Sequence, residues 1–510
     1  MNYSRREILR YALLLPVIES SCIPRPESRI LPSLAALPKP FEVPLPILPI
    51  LKPARTDSLA DFYDVTVRPA AARILPGMNT AIWGYDGIFP GPTIEARVGR
   101  RASLRLRNGL SVPIVNHLHG GRTAPESDGY PTDFILPAGG FPQSHMHDPR
   151  ARITEDEREY LYSNNQRAAT LWYHDHRMDF TGPQIWRGLA GFYILRDAEE
   201  ERLPLPRGDK EITLLICDRS FEADGSLRYP ALDASLRDTP GVSAQYMGGV
   251  LGDVILVNGA PWPRLEVANV RYRFRILNAS NARRYELGLD PSPRGAAPFV
   301  QIGSDGGLLA APITHRTIRI APSERFDIVI DFSKFPLGSK VALVNHAGDG
   351  QAGDGNTGLI MRFDVARSER DESNVPAKLA DPLFAKPEEA VVTRVFDFSY
   401  QRASHSWRIN GKPYDPDRMD ARPALDTTEI WTLQTDFNHP LHLHLVHFQV
   451  LAHSGRPGPY DAGWKDTIDL GPGQSANLLI RFAGYRGRYV FHCHNLEHED
   501  MSMMGNFEVV

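Results

Sequence analysis

Cysteine is scarce in this sequence, with only Cys22, Cys217 and Cys493 among 510 residues. Three cysteines in so long a chain exclude a small disulfide-stapled scaffold. An excess of one charge is also lacking, because 57 Lys and Arg stand against 61 Asp and Glu. This balance gives no electrostatic footprint for nucleic acid. Beyond the N-terminus no apolar run is long enough to span a bilayer, so we expect no membrane span.

Proline and glycine, by contrast, are plentiful, with 43 and 41 residues. They favour turns and short strands over long helices. At roughly 150 residues per domain, the length predicts about three domains. Short β-type runs recur at 62–67, 253–259 and 407–411, and the last two end in Asn-Gly, which indicates a diverged internal repeat. The prediction is an all-β fold of three β-sandwich domains in series.

Two charged or proline-containing linkers, 197–208 and 366–387, separate the predicted domains. The domains are placed at 58–200, 201–375 and 376–510. Residues 23–57 form a proline-rich arm, with nine prolines between 23 and 53. We expect this arm to lie extended against a domain.

The N-terminus has the pattern of an export signal. Arg5 and Arg6 precede an apolar stretch, 11–18, that is too short to cross a bilayer. Residues 1–22 are therefore predicted to be a twin-arginine signal, which would place the protein in the periplasm or outside the cell. The alternative is an uncleaved amphipathic tail. Cys22 is a candidate for lipid attachment, although Glu19 stands where an apolar residue is usual.

Histidine is strongly clustered, because ten of the 17 histidines fall into four short segments. These ten are His117, His119, His174, His176, His439, His442, His444, His492, His494 and His498. Alternate side chains of a strand point to the same face, so each His-x-His pair directs two imidazoles toward a common point. One pair alone could be a hydrogen-bonded structural couple. Four such clusters together indicate metal binding.

The last cluster is two-sided. Cys493 lies between His492 and His494, so on a strand the cysteine faces away from both histidines and the segment touches two metal centres. On the cysteine side, His439, His498 and a methionine complete the set that marks a blue-copper electron-transfer site. Zinc is the competing metal, although it has little use for methionine.

Met503 is the methionine that we expect in the axial position of this site. Met501 and Met504 are rival axial candidates, and Met503 as ordinary core filler is a further alternative. The eight histidines outside this site form an all-imidazole set, which suits copper and can hold three ions with positions left open for oxygen species. Four coppers can store the four electrons that reduce dioxygen to water.

With these four motifs in order, the chain resembles the multicopper oxidase family. Segments 83–94 and 471–474 also resemble family segments, so the resemblance covers nearly the whole chain after the signal. The proline-rich arm, 117–121 and 127–131 are most similar to the spore-coat laccase and bilirubin oxidase branch. The resemblance implies three cupredoxin-like Greek-key domains, which agrees with the domain count reached from length.

The resemblance also implies four copper ions, one of type 1, one of type 2 and two of type 3. The type 1 ligands would be His439, Cys493, His498 and Met503. The type 2 ligands would be His117 and His442. The type 3 ligands would be His119, His174, His176, His444, His492 and His494, which places the three-copper cluster between the first and third domains.

Three residues receive further roles from the same resemblance. His498 would be the ligand through which electrons enter. Asp128 and Glu499 would deliver protons to the cluster, since oxygen reduction consumes them. The alternative for both carboxylates is that they are solvated loop residues.

The implied reaction removes single electrons from phenols, aromatic amines or bilirubin-like tetrapyrroles and passes them to dioxygen. One alternative is a cuprous-ion oxidase serving copper tolerance, although the chain has just 10 methionines and no obvious methionine-rich insert. Another is a non-catalytic copper electron carrier or coat protein, which would need only the mononuclear site. A monomer is expected.

Several other residues are predicted to stay outside these sites. His145 and His147 lie in a proline- and glycine-rich loop and are expected at the surface. His447 has the opposite strand parity from His442 and His444, so it should not join their cluster. Cys217 lies in an apolar β-like run and is expected to be a buried strand thiol.

Overall fold

A computed structural model describes residues 26–142, 148–347, 355–381 and 384–510. The predicted export signal, Cys22, His145 and His147 lie outside these residues. Strands dominate the described chain. Its α-helices are short and span Thr181–Arg187, Ala198–Arg202 and Leu496–Glu499. The all-β prediction is thus confirmed. No helix among the described residues has the length and apolar character needed to cross a membrane.

The first pair of sheets holds two of the predicted histidine segments. Its five-stranded sheet contains Glu157–Tyr162, Arg101–Asn108, Ala60–Ala72, Arg55–Thr56 and Thr80–Tyr85. Its four-stranded sheet contains Ile94–Arg97, Ala190–Arg196, Ala169–Asp175 and Asn116–His119. Alternation sets the inner face: in Arg101–Asn108, Leu104 and Leu106 are buried while Arg105 and Arg107 are exposed.

The middle pair of sheets is the largest and encloses its own apolar core. The strands of its larger sheet are Ala260–Pro261, Val254–Val257, Glu211–Phe221, Leu227–Arg228, Arg271–Asn278, Arg325–Asp331, Phe299–Ser304 and Gly307–His315. Those of its smaller sheet are Arg264–Ala268, Leu359–Arg367, Lys340–Asn345, Tyr285–Asp290 and Ile318–Ile320. Cys217 is buried in the strand Glu211–Phe221.

The third pair of sheets holds the remaining histidine segments. One sheet contains Ser406–Ile409, Ala390–Gln401, Thr427–Thr435, Ser475–Phe482 and Phe448–His453. The other contains Thr467–Leu470, His439–Leu443, Gly487–Cys493 and Met504–Val509. The domain boundaries drawn from the sequence stay a proposal. Arg55–Thr56, assigned there to the arm, pairs with Ala60–Ala72 of the first pair.

The proline-rich arm lies extended along the middle pair of sheets. Its strand Arg29–Leu31 runs parallel to Val250–Gly252, and Leu45 and Leu48 are buried in the middle core. Proline fixes φ and removes a backbone donor, so such a segment is held by the donors that remain. Leu45 N–H, for example, donates to the Arg264 carbonyl at 2.8 Å.

A buried charge cluster joins the first and middle pairs of sheets. Glu200, in the short helix between them, accepts hydrogen bonds from Arg273 (2.8 Å) and Arg275. Both arginines are also paired with carboxylates, Arg273 with Asp327 and Arg275 with Glu211. Burial alone would raise the pKa of Glu200, but the nearby guanidinium groups overcome this and lower its pKa to about 2.

Replacing Glu200 with glutamine should destabilise the protein by about 3 kcal/mol, because two buried arginines lose a shared counter-charge. Since the folded-state pKa of Glu200 is lowered, its contribution is present above about pH 4.5 and is lost as the pH falls toward 2. Chemical denaturation at pH 7 and pH 3 measures both effects, and the loss at pH 3 should be smaller. The neighbouring pair Arg97–Glu201 is exposed, so Glu201→Gln should cost much less stability than Glu200→Gln. Equal losses in the two variants would contradict this account.

Candidate metal centre

Eight of the predicted histidines meet at the joint between the first and third pairs of sheets. They are His117, His119, His174, His176, His442, His444, His492 and His494, and all are buried. Strand pairing positions them, because His117 lies opposite His174 and His442 lies opposite His492. Rings from the two pairs of sheets then stack across the joint: His117 on His444 at 3.7 Å between centroids and His119 on His442 at 3.6 Å.

Three of these imidazoles point the same ring nitrogen at one another. His492 Nε2 lies 3.2 Å from His176 Nε2 and 3.3 Å from His444 Nε2. The Nδ1 atoms on the opposite edges face carboxylates: His444 Nδ1 is 2.8 Å from Asp128, and His492 Nδ1 is 3.1 Å from Glu499. In His444 and His492 the ring proton is therefore on Nδ1, and the converging Nε2 atoms present their lone pairs to one another. A cation between them would make this arrangement favourable.

Three other imidazoles of the joint show the same one-sided bonding. His117 Nδ1–H donates to the Asp128 carbonyl at 2.6 Å, His174 Nδ1–H to the Asp175 carbonyl at 2.8 Å and His442 Nδ1–H to the Asp466 carbonyl at 2.8 Å. In each ring the Nε2 atom is buried without a hydrogen-bond partner among the described residues. Buried polar atoms are normally satisfied, so these nitrogens are free for metal.

Burial lowers the pKa of His117, His119, His442, His444 and His494 well below the ordinary value. The rings are therefore neutral, which is the form of imidazole that binds a metal ion. The donor set at the joint fits several closely spaced ions with nitrogen ligands.

A second, separate donor group lies on the cysteine side of the last strand, as alternation predicted. Cys493 Sγ is 3.3 Å from His439 Nδ1 and 3.6 Å from His498 Nδ1. The two nitrogens are 3.1 Å apart, so three donors form a triangle. Burial raises the pKa of the Cys493 thiol, and a bound metal would be needed to hold it as a thiolate.

Of the three candidate methionines, Met503 has the tightest connection to this triangle. Its N–H donates to the His498 carbonyl at 3.0 Å, and its carbonyl accepts from Cys493 N–H at 3.1 Å. Met503 and Cys493 are buried in the same apolar core. Met504 packs instead in a separate cluster around Tyr130, and Met501 is only half buried.

The side chain of His498 is fully buried. Trp407 stacks on its ring at 3.6 Å between centroids, and Asn495 Nδ2 lies 3.2 Å from its Nε2. Asn495 also donates to the Gly248 carbonyl at 3.1 Å. Trp407 and Asn495 therefore cover the ring of His498.

The two predicted acidic residues are buried against the imidazoles of the joint. Asp128 contacts the rings of His117 and His444, and Glu499 contacts those of His176 and His492. The alternative that they are solvated loop carboxylates is wrong. Burial raises the pKa of Asp128 well above its ordinary value.

Known protein families match the regions of the chain that form the first and third pairs of sheets. Two multicopper oxidase family profiles match residues 66–200 and 385–510. The laccase of Bacillus subtilis (strain 168) is 36% identical, covering 91% of this chain and 97% of the laccase. The bilirubin oxidase of Albifimbria verrucaria is 34% identical, covering 92% and 81% respectively. The chain belongs to the multicopper oxidase family.

Solved structures agree with this assignment. The crystal structure of a laccase from Pediococcus acidilactici superposes with a TM-score of 0.80 at 30% identity, covering 94% of this chain and 96% of that one. The predicted cupredoxin-like β-sandwich domains are thereby confirmed. As a multicopper oxidase, the protein is a copper-binding oxidoreductase, and the buried donor groups described above fit that metal.

Other histidines of this multicopper oxidase lie apart from the donor groups. His447 Nε2–H donates to the Gly120 carbonyl at 3.0 Å. The parity argument for His447 does not apply, because the strand His439–Leu443 ends before it and Leu445 has φ of 65°. His453 pairs with Asp461, and His315 with Gln301.

Sequence reasoning missed several residues that contact the predicted ligand imidazoles, directly or through an ion pair. Trp172 stacks on His174 at 4.2 Å and Trp407 on His498. Asp466 lies 3.1 Å from His119 Nε2 and is ion-paired with Arg325. Trp172 stands two residues before His174, so its position on the same strand face was the one available signal.

Replacing Cys493 with serine should abolish the blue absorption and the oxidase activity while leaving copper bound at the eight-histidine joint. The sulfur supplies the thiolate donor of the triangle, and no predicted ligand of the joint is removed. Absorption spectra and metal analysis measure both results. The matched control is Cys217→Ser, which alters a buried thiol in the middle pair and should keep the blue colour. Full activity in Cys493→Ser would contradict the assignment.

Proposed function

We propose that this multicopper oxidase holds four copper ions and oxidises phenols, aromatic amines or bilirubin-like tetrapyrroles by single electrons, reducing dioxygen to water. One ion would lie at His439, Cys493, His498 and Met503. His117 and His442 would hold the type 2 ion. The type 3 pair would be held by His119, His174, His176, His444, His492 and His494. Bound copper supplies the one-electron redox chemistry and the oxygen binding.

The observation that carries this proposal is the two-sided strand end. Cys493 reaches the triangle of the third pair, while the ring of His492 reaches the joint and His494 is buried there beside His119 (5.1 Å between ring centroids). One peptide bond joins Cys493 to His492 and another joins it to His494, so this short segment would connect a mononuclear site with a polynuclear one. An electron carrier would need the triangle alone, so the eight further imidazoles favour an oxidase.

The reductant has a groove beside the mononuclear site. A cavity of about 580 Å³ lies between the arm, the middle pair and the third pair. Phe437 and Asn438, which precede His439, line it together with Leu251. An aromatic side chain next to a buried ligand suits a planar reductant that passes electrons without reaching the metal itself.

Protons reach the joint through groups that touch it. Asp128 and Glu499 each contact two of the predicted ligands and are the acidic side chains that sequence reasoning assigned to this task. Burial raises the pKa of Asp128, so this side chain can hold a proton next to the oxygen site. Burial alone would also raise the pKa of Glu499, but the neighbouring His176 and His492 lower it to about 2, so Glu499 is held as a carboxylate beside the same imidazoles.

The overall proposal is tested by metal analysis together with oxygen uptake on aryl diamines, bilirubin and cuprous ion. We expect close to four coppers per chain and rapid turnover of the aryl or tetrapyrrole reductants, because Phe437 lines the cavity beside His439. Turnover of cuprous ion alone would replace this proposal with a cuprous-ion oxidase. A stoichiometry near one copper would indicate an electron carrier.

Replacing Asp128 with asparagine should slow reoxidation of the reduced enzyme by dioxygen by roughly 100-fold, the usual scale for loss of a proton-transfer group. Anaerobic bleaching of the blue colour by reductant should be unchanged, since that step uses the other site. Stopped-flow spectroscopy separates the two steps. Asp133→Asn serves as the control, because Asp133 is also buried but contacts Arg152. Unchanged reoxidation across pH would remove Asp128 from the proton route.

A further inference from the structure

Asp466 is a buried carboxylate that lies against the imidazoles of the joint. It precedes the strand Thr467–Leu470 of the third pair and is fully buried. Its Oδ1 lies 3.1 Å from His119 Nε2, on the first pair of sheets. Its backbone carbonyl accepts from His442 Nδ1–H at 2.8 Å, on the third pair. One residue thus contacts both rings of the stacked pair His119 and His442.

Arg325 of the middle pair holds this carboxylate in place. Its Nη1 and Nη2 groups donate to the two carboxylate oxygens at 2.7 and 2.5 Å. Its Nε–H donates to the Thr170 carbonyl of the first pair at 2.9 Å. The middle pair supplies none of the predicted copper ligands, yet through Arg325 it reaches the polynuclear site.

Asp466 repeats the contacts of Asp128 on the other side of the joint. Asp128 bonds His444 through its carboxylate and His117 through its backbone carbonyl, and those two rings are stacked. Asp466 does the same for His119 and His442. The first and third pairs of sheets each contribute one aspartate that spans one stacked pair of imidazoles.

We propose that Asp466, fixed by Arg325, is a positioning residue that sets which nitrogen each of two rings presents to copper: Nδ1 in His119 and Nε2 in His442. This inference rests on the proposed copper sites. His119 Nε2–H faces Asp466, and its Nδ1 is buried with no hydrogen-bond partner among the described residues. His442 is bonded at Nδ1, and its Nε2 likewise has no partner within that part of the chain. The two stacked rings therefore present opposite nitrogens toward the same space.

A direct ligand role for Asp466 fits the contacts less well. Its oxygens lie within a donor group with His119 and His442, but both already accept from Arg325. They also face the bonded nitrogen of His119 rather than the free one. Thr467 Oγ1 lies 3.3 Å from the same nitrogen and donates to Asp466 Oδ1 at 3.0 Å, so the bonded edge of the ring is fully used.

Gly120 shows how closely the chain packs on this pair. The residue follows His119 with φ of 81°, and a Cβ there would lie 2.7 Å from both Arg325 Nη2 and Asp466 Oδ2. Glycine is required by the conformation and by the close approach. The backbone that carries His119 is thus seated directly on the ion pair.

A crystal structure of the copper-loaded wild-type protein tests the ring assignment. We expect His119 Nδ1 at ligand distance from copper, with Nε2 within hydrogen-bond distance of Asp466. Copper on His119 Nε2, or on an Asp466 oxygen, would overturn the proposal. This test needs no substitution, so it stands even if a variant fails to fold.

The double variant Asp466→Asn with Arg325→Gln separates positioning from charge balance. Removing both Arg325 and Asp466 leaves Asp305, the other carboxylate near Arg325, with Lys465 as its counter-charge at 3.1 Å, so folding should survive. His119 loses the carboxylate that anchors its Nε2, while the backbone carbonyl that bonds His442 stays in place. We expect copper affinity at the joint or the rate of reoxidation by dioxygen to fall about 10- to 100-fold. The blue colour and its anaerobic bleaching should be unchanged.

The matched control is Arg394→Gln with Glu429→Gln, which removes a partly buried ion pair elsewhere in the third pair of sheets. It should leave copper content and reoxidation as in the wild type. Wild-type copper content and reoxidation in the Asp466 and Arg325 double variant would overturn the positioning role. An equal defect in the control would do the same, because the effect would then be structural. If wild-type protein bound no copper, the proposed function itself would fail, which is a different outcome.

Discussion

The architecture of this protein depends on a limit of the imidazole ring: only one of its two nitrogens can face a given metal ion. The other must be bonded, or the ring is free to turn over. At the joint, the outer nitrogens of His117, His174 and His442 donate to backbone carbonyls. Those of His444 and His492 face buried carboxylates. The fold places these hydrogen-bond acceptors, and each acceptor fixes the ring proton on the outer nitrogen, so that the inner nitrogen presents its lone pair to the metal.

Much of this arrangement could be predicted because it is local. A strand sends alternate side chains to opposite faces, so the order His492, Cys493, His494 fixes which residue joins which site. The same rule places His117 with His119 and His174 with His176. The all-β fold followed from turn residues and short apolar runs, which are also local properties. These predictions needed no knowledge of which strands pair.

The residues that sequence reasoning missed act over long separations. Arg325 and Asp466 are 141 positions apart, and each lies in a segment without a recognisable motif. Local rules also failed where a strand ends. The strand parity used for His447 has no meaning after Leu443, since the backbone turns at Leu445. Among the methionines, spacing alone left three candidates, and they are distinguished by their packing and by the backbone hydrogen bond between Met503 and Cys493.

The two aspartates of the joint show how one geometry serves two tasks. Asp128 and Asp466 make equivalent contacts to stacked imidazoles, but their surroundings differ in charge. Burial raises the pKa of Asp128, and among the described residues no arginine or lysine is paired with it. At Asp466 burial is opposed by Arg325, which holds the pKa of that carboxyl below its ordinary range. The lowered pKa of Asp466 suits this carboxylate to holding rings in place, whereas the raised pKa of Asp128 fits the proton-transfer role proposed for it. The middle pair of sheets creates this difference by extending one guanidinium to one side of an otherwise symmetrical joint.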